Sequence, residues 1–261
     1  MRSSTDWLHH FEQNRHALLE IPWEAGPELD PAERRAVARS IAEFQRGESS
    51  EGRHLLRYAQ EYSEASGDRD YFPAIRLFIA EEQRHARDLA RFMVRNGLPQ
   101  AERSFADSAF RRLRNLLGTL EVSIAVLIQA EIVAQVYYAA LQEATDSRVL
   151  RRLCEQILQD EAHHVRFQAE QLGKLRAARG PFLYAVTRAA ERLLFLGTFP
   201  VVWMVHAAAC RRGGYGFRRY WCSAWDHFGR AFATSNEARR ACRDAAPAFT
   251  RRPLPQLPGG S

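Results

Sequence analysis

The chain has 261 residues, enough for one large or two small domains, and its 46% hydrophobic and 26% charged content excludes wholesale disorder and collagen-like repeats. The formal net charge is +6, carried almost wholly by arginine, Lys174 being the sole lysine. No basic cluster is interleaved with base-stacking aromatics, which argues against a nucleic-acid partner. The cysteines, Cys154, Cys210, Cys222 and Cys242, have no CxxC spacing, which excludes a rubredoxin-like or zinc-ribbon centre and leaves them as small reduced core residues.

Residues 1–29 form an N-terminal extension without the apolar stretch of a secretory signal, so a reducing cytoplasm is the expected location, with membrane association as the open alternative. Leu29-Asp30-Pro31-Ala32-Glu33 then offers an Asp N-cap, Pro at the first helical position and an acid at the third. Val37, Ile41, Phe44, Glu48, Glu51, Leu55, Tyr58 and Tyr62 recur at spacings of three and four, which predicts one buried helix face ending before Gly67. Gly47, Ser49, Ser50 and Gly52, small residues within that helix, either leave room for a substrate or permit close helix packing. A second helix from about Asp70 carries Ile75, Phe78, Glu82, His85, Leu89 and Phe92, and Asn96-Gly97-Leu98-Pro99 stops it.

The third helix is predicted from about Asp107 to Thr145, with Leu117, Ile124, Ile128, Glu131, Gln135 and Tyr138 on its stripe. Beyond Thr145-Asp146-Ser147 a fourth carries Leu150, Leu153, Ile157, Glu161, His164 and Gln168, and Arg179-Gly180-Pro181 ends it. No segment sustains period-two alternation, so no sheet is expected. Short connections make helices one and two, and three and four, antiparallel hairpins, whereas Gly97 to Ala106 could span on the order of 35 Å and serve as one long crossover. Leu193 to Cys210 is uncharged at neutral histidine and sits at the threshold of a membrane span, but a helix packed across the bundle is the preferred reading. Phe217 to Thr234 reads as a sixth helix with Trp221, Trp225 and Phe228 on one face. The division expected is a four-helix bundle over residues 30–178, additional C-terminal helices over 181–245 and a disordered tail over 246–261.

The stripes turn polar where they should be apolar. Glu51, Glu82, Glu131 and Glu161 occupy core-facing positions, and His85 and His164 follow two of them at i+3 on the same face. An unpaired buried carboxylate costs several kcal/mol, so four together demand a cation, and the stripes contain no Arg or Lys. Two divalent metal ions would balance the four charges, and oxygen-rich ligation with one imidazole nitrogen per ion suits iron or manganese. Depth agrees, since Glu131 lies fourteen residues before Thr145 and Glu161 fourteen after Ser147. Around the first turn, Glu51 and Glu82 have their midpoint between Ser66 and Gly67; Glu48 shifts it by one and a half residues and is the alternative ligand. Glu51 is favoured because Tyr58 follows it at i+7, as Tyr138 follows Glu131.

Glu81-Glu82-Gln83-Arg84-His85 and Asp160-Glu161-Ala162-His163-His164 resemble the ligand motifs of ferritin-like di-iron carboxylate proteins, over roughly residues 30–178. The acid before each ligand Glu resembles the oxygen-activating branch, which includes acyl-carrier desaturases, bacterial multicomponent monooxygenases and ribonucleotide reductase small subunits. That resemblance implies that Asp160 bonds His85 and Glu81 bonds His164, fixing tautomer and geometry. His163 stands where an Arg is common, as a further ligand or as an imidazole outside the ligand set. Tyr58 and Tyr138 are radical or hydrogen-bond partners, or core residues. The implied activity is oxidation of a small or lipidic substrate by dioxygen on two iron ions, manganese also fitting. Iron storage or detoxification and a non-catalytic bundle that binds a membrane or a protein are the alternatives. The basic exterior, densest around Arg211, Arg212, Arg218 and Arg219, points to an acidic electron-donor protein or to peripheral membrane contact through residues 193–219.

Overall fold

The computed structural model describes residues 1–49, 52–101 and 118–245. The fold is all-α, and no strand occurs among the described residues. Helix α1 (Ser4–Asn14) opens on a reciprocal Ser3/Asp6 capping box and buries Trp7 and Phe11 completely. It packs on the helix Tyr71–Arg95, and the Trp7 indole donates to Glu170 Oε2 at 2.9 Å, so residues 1–14 are clamped to the bundle.

Helix α2 (Pro31–Glu48) starts as its sequence predicts, with Asp30 accepting from the backbone of Ala32 and Glu33 while Glu33 reaches back to the Asp30 amide. The single helix expected from residue 31 to 66 is interrupted, however. It stops at Glu48, and α3 (Arg53–Ser66) begins after Gly52, which takes φ +61°. Glycine suits the left-handed conformation there, which disfavours a side chain, and a Cβ would displace the tip of Ile79, standing 2.6 Å from its Cδ1. Helix α4 (Tyr71–Arg95) is unbroken and ends at Asn96 and Gly97.

Helix α5 (Leu120–Glu143) starts later than residue 107, because Gly118 has positive φ and Thr119 is extended and caps the Val122 amide. Residues 102–117, with half of the expected crossover, and 246–261, the expected tail, lie outside the described residues. Helix α6 (Arg148–Leu175) is N-capped by Ser147 and lies along α5. Glu33 accepts from the Asp146 amide at 2.7 Å, tying the α5–α6 turn to the start of α2.

The C-terminal helices are longer than their apolar cores. Helix α7 (Pro181–Arg212) begins twelve residues before Leu193 and runs through Pro200, whose missing N–H releases only the carbonyl of the exposed Leu196. Helix α8 (Phe217–Ala245) passes the expected stop at Thr234 because Ala238 and Arg239 are buried against α6. The Arg239 guanidinium donates to the carbonyls of Arg176 and Arg179, at 3.1 and 2.7 Å, satisfying backbone groups left open at the end of α6. Gly173 lets α6 and α8 touch, since a Cβ there would meet Ser235 O at 2.5 Å. Helices α5 and α7 are both long and apolar enough to cross a membrane, but most of the apolar window of α5 is buried as the central core helix.

Candidate metal centre

Six side chains converge between α2, α4, α5 and α6. Glu48 closes α2, Glu82 and His85 stand one turn apart on α4, Glu131 comes from α5, and Glu161 and His164 stand one turn apart on α6. They form two quartets of potential ligand atoms, each within 4.8 Å of one another: Glu48, Glu82, His85 and Glu161; and Glu82, Glu131, Glu161 and His164. Glu82 and Glu161 belong to both. Glu51 lies outside the described residues.

The environment is dry. Glu161 and His164 are wholly inaccessible, and His85, Glu131 and Glu48 are buried. Burial, then Glu131 and Glu82, pushes the Glu161 carboxyl well above the ordinary carboxylate range. Burial and then Glu82 do the same to Glu48. Glu82 and Glu131 are raised as well, burial again leading. Burial alone would lower the His164 imidazole, yet Glu161, Glu81 and Glu82 carry it well above its usual value. Every shift has one origin, a concentration of negative charge without solvent to stabilise it.

Each imidazole is held from behind. His85 Nε2 lies 3.0 Å from Asp160 Oδ2, and His164 Nε2 lies 2.9 Å from Glu81 Oε2, each carboxylate coming from the opposite hairpin. Burial would raise Asp160, but His85 and Arg84 hold its carboxyl well below the usual range; Glu81 is lowered too, His164 outweighing burial. Both acids are therefore ionised acceptors for the Nε2 protons, and each Nδ1 is turned toward the carboxylates. The inward distances are 2.8 Å from His164 Nδ1 to Glu82 Oε1, 3.7 Å from His164 Nδ1 to Glu161 Oε2 and 3.7 Å from His85 Nδ1 to Glu161 Oε1.

The donor set fits metal ions. Both Glu161 oxygens and His85 Nδ1 are buried and make no hydrogen bond, and His164 Nδ1 and Glu82 Oε1 face each other at 2.8 Å. Three orphaned atoms at one point would be a severe cost in a hydrogen-bonded core. All carry lone pairs, and a divalent cation can accept several of these at once.

The surrounding residues steady the remaining ligands. Tyr138 Oη donates to Glu48 Oε1 at 2.9 Å, Gln168 Nε2 to Glu131 Oε1 at 2.9 Å and Gln135 Nε2 to the Glu161 carbonyl at 3.0 Å. Asn14 and Arg84 carry no stripe signal, yet both touch the supporting acids. The Asn14 amide donates to Glu81 Oε1 at 2.7 Å and to Asp160 Oδ1 at 2.8 Å, and Arg84 donates to Asp160 Oδ2. Tyr58 instead accepts at 3.0 Å from Arg57, and the His163 ring packs on His10 with centroids 4.1 Å apart, outside both quartets. Among known proteins, no family model matches the chain and no curated sequence is similar to it.

Proposed function

We propose that the protein is a ferritin-like di-metal carboxylate oxidoreductase, with two iron ions, or manganese in their place, held by Glu48, Glu82, His85, Glu131, Glu161 and His164. The observation that carries this reading is the pair of quartets sharing two carboxylates, with both Glu161 oxygens and His85 Nδ1 unpartnered. Glu48 and His85 would serve one ion, Glu131 and His164 the other, and Glu82 and Glu161 both. When bound, such a pair supplies the electrons that reduce dioxygen for hydroxylation, desaturation or N-oxygenation of a small or lipidic substrate.

The chain's own residues prepare the site for that chemistry. Asp160 and Glu81 orient the imidazoles and keep their protons on Nε2. Tyr138 and Gln168 each occupy one oxygen of a ligand carboxylate, which restricts its rotation. Phe78 and Phe11, with ring centroids 4.6 and 6.2 Å from His164, help exclude water from that side.

Loading with Fe(II) under nitrogen is expected to give two ions per chain, and admitting air is expected to consume dioxygen. Glu82→Ala and His164→Ala should each abolish stoichiometric two-metal binding while far-ultraviolet circular dichroism stays helical. Equal, non-stoichiometric metal binding by wild type and both variants would overturn the site. Two ions per chain with no dioxygen uptake would replace the oxidoreductase with a metal-binding role.

A further inference from the structure

Helix α7 is apolar on both sides. Its inner face buries Phe195, Phe199, Val202, Trp203, His206 and Cys210. On the outer face Phe182 is 81% exposed, Leu193 69% and Met204 71%, with Leu183, Val186 and Leu196 also open to solvent. Ala189, Ala190 and Ala208 are exposed along the same helix. From Phe182 to Met204 the helix rises about 33 Å. Phe217 and Trp225 of α8 continue the patch, Phe217 beside Trp203 and Trp225 beside Phe195. Soluble monomers rarely leave so long an apolar surface in water.

The same third of the chain holds the charge. Residues 181–245 contain ten arginines, no lysine and four acids, a net charge equal to that of the whole protein. One of the acids, Glu191, is buried and paired with Arg176, so the surface is more basic than the count implies. Arg192, Arg211, Arg218, Arg219 and Arg230 are exposed.

Three occupants can cover an apolar face: a bilayer core around the helix, a second copy, or a lipid surface. A bilayer core would require α7 to leave the bundle, breaking the 2.7 Å Ser40–His206 contact and the Arg176–Glu191 pair. Pairing of two copies would set arginine-rich rims together, with only Asp226, Glu237 and Asp244 as exposed acids in this region to offset them. An anionic lipid surface complements both features, taking the apolar stripe among its acyl chains and the arginines among its headgroups.

We propose that α7 and the first half of α8 bind in the plane of an anionic bilayer, with the Phe182–Met204 stripe inserted and the arginines on its rim. The rest of the bundle then stays in water.

Flotation of the full chain with vesicles tests this. Phosphatidylcholine vesicles are compared with vesicles that also contain phosphatidylglycerol, at low and high salt. Wild type is expected to partition at least about tenfold more strongly onto the anionic vesicles, with that preference shrinking as salt rises. The double variant Leu193→Glu/Met204→Glu is expected to lose binding by tenfold or more. Both positions are exposed, so its helicity and metal content should match wild type, and metal content reads the centre separately from the lipid contact. Failure of wild type to float with anionic vesicles, or equal flotation of the variant, would overturn the proposal. Sedimentation equilibrium adds a further arm: a wild-type dimer that the double variant dissociates, without vesicle binding, would assign the face to a second copy and overturn it too.

Discussion

His85 and His164 each commit one ring nitrogen to the protein and leave the other to the carboxylate cluster, so the acids behind them decide which way they point. Asn14 links those two acids through one amide, 67 and 146 residues away in sequence. Asn14→Ala should therefore loosen both supports together and weaken metal affinity by roughly 10- to 100-fold while leaving two sites per chain. Competition with a chromophoric chelator measures this, and unchanged affinity would show that Asn14 only anchors α1. The bond could not be read from the sequence, because α1 has no periodic relation to α4 or α6. The candidate ligand motifs on α4 and α6 are legible, since a Glu and a His at i+3 on an apolar stripe stand out against their own helix. Glu48 and Glu51 were harder to separate. Three residues apart on one predicted helix they share a face, and the tyrosine spacing that favours Glu51 assumes a helix continuing past Glu48, where α2 ends.

At the scale of elements, caps were more legible than breaks. Asp30, Pro31 and Glu33 announce α2 because each meets a local backbone need. The interruption before Gly52 was hidden by a stripe that continues through it, since apolar spacing records which face is buried and says nothing of φ. The length of α8 was hidden for the opposite reason: its last turns are held by Arg239, a polar contact outside any apolar period. The docking of α7 brings a pH dependence of its own. His206 sits against Ser40 and Phe44 of α2 and Tyr137 of α5, and burial, with a smaller push from Arg39, lowers its imidazole to about 3. An unfolded histidine titrates near 6.5, so between about 6.5 and 3 the unfolded chain binds a proton that the folded one does not. Stability from this residue is thus intact above the unfolded value and falls with acidity, by about 2 kcal/mol between pH 6.5 and 5. Urea unfolding at pH 7 and pH 5 should show wild type losing about that much more than His206→Gln, whereas parallel losses would mean that the imidazole charges in place.

Across the whole molecule, the strongest opposition to folding lies at the candidate metal centre. Four carboxylates and two histidines occupy the middle of a bundle whose total stability is on the order of 5–15 kcal/mol. Without a cation, desolvation and mutual repulsion act on all four acids, and Glu161, fully buried with both oxygens unpartnered, suffers most directly. An amide at that position removes one charge and can donate to neighbouring carboxylates. In chelator, Glu161→Gln is therefore expected to melt at a higher temperature than wild type. With metal in excess the order should reverse, because a ligand at a thousand times its Kd stabilises the folded state by about 4 kcal/mol, roughly 10 °C in Tm for a chain of this size. The variant should gain only a small part of that. Calorimetry with and without Fe(II) or Mn(II) reads both orders in one experiment. If Glu161 merely completed a hydrogen-bonded core, the variant would melt lower in both conditions. A crossing of the two curves would instead place the cost of metal-free folding and the gain from metal binding on the same carboxylate.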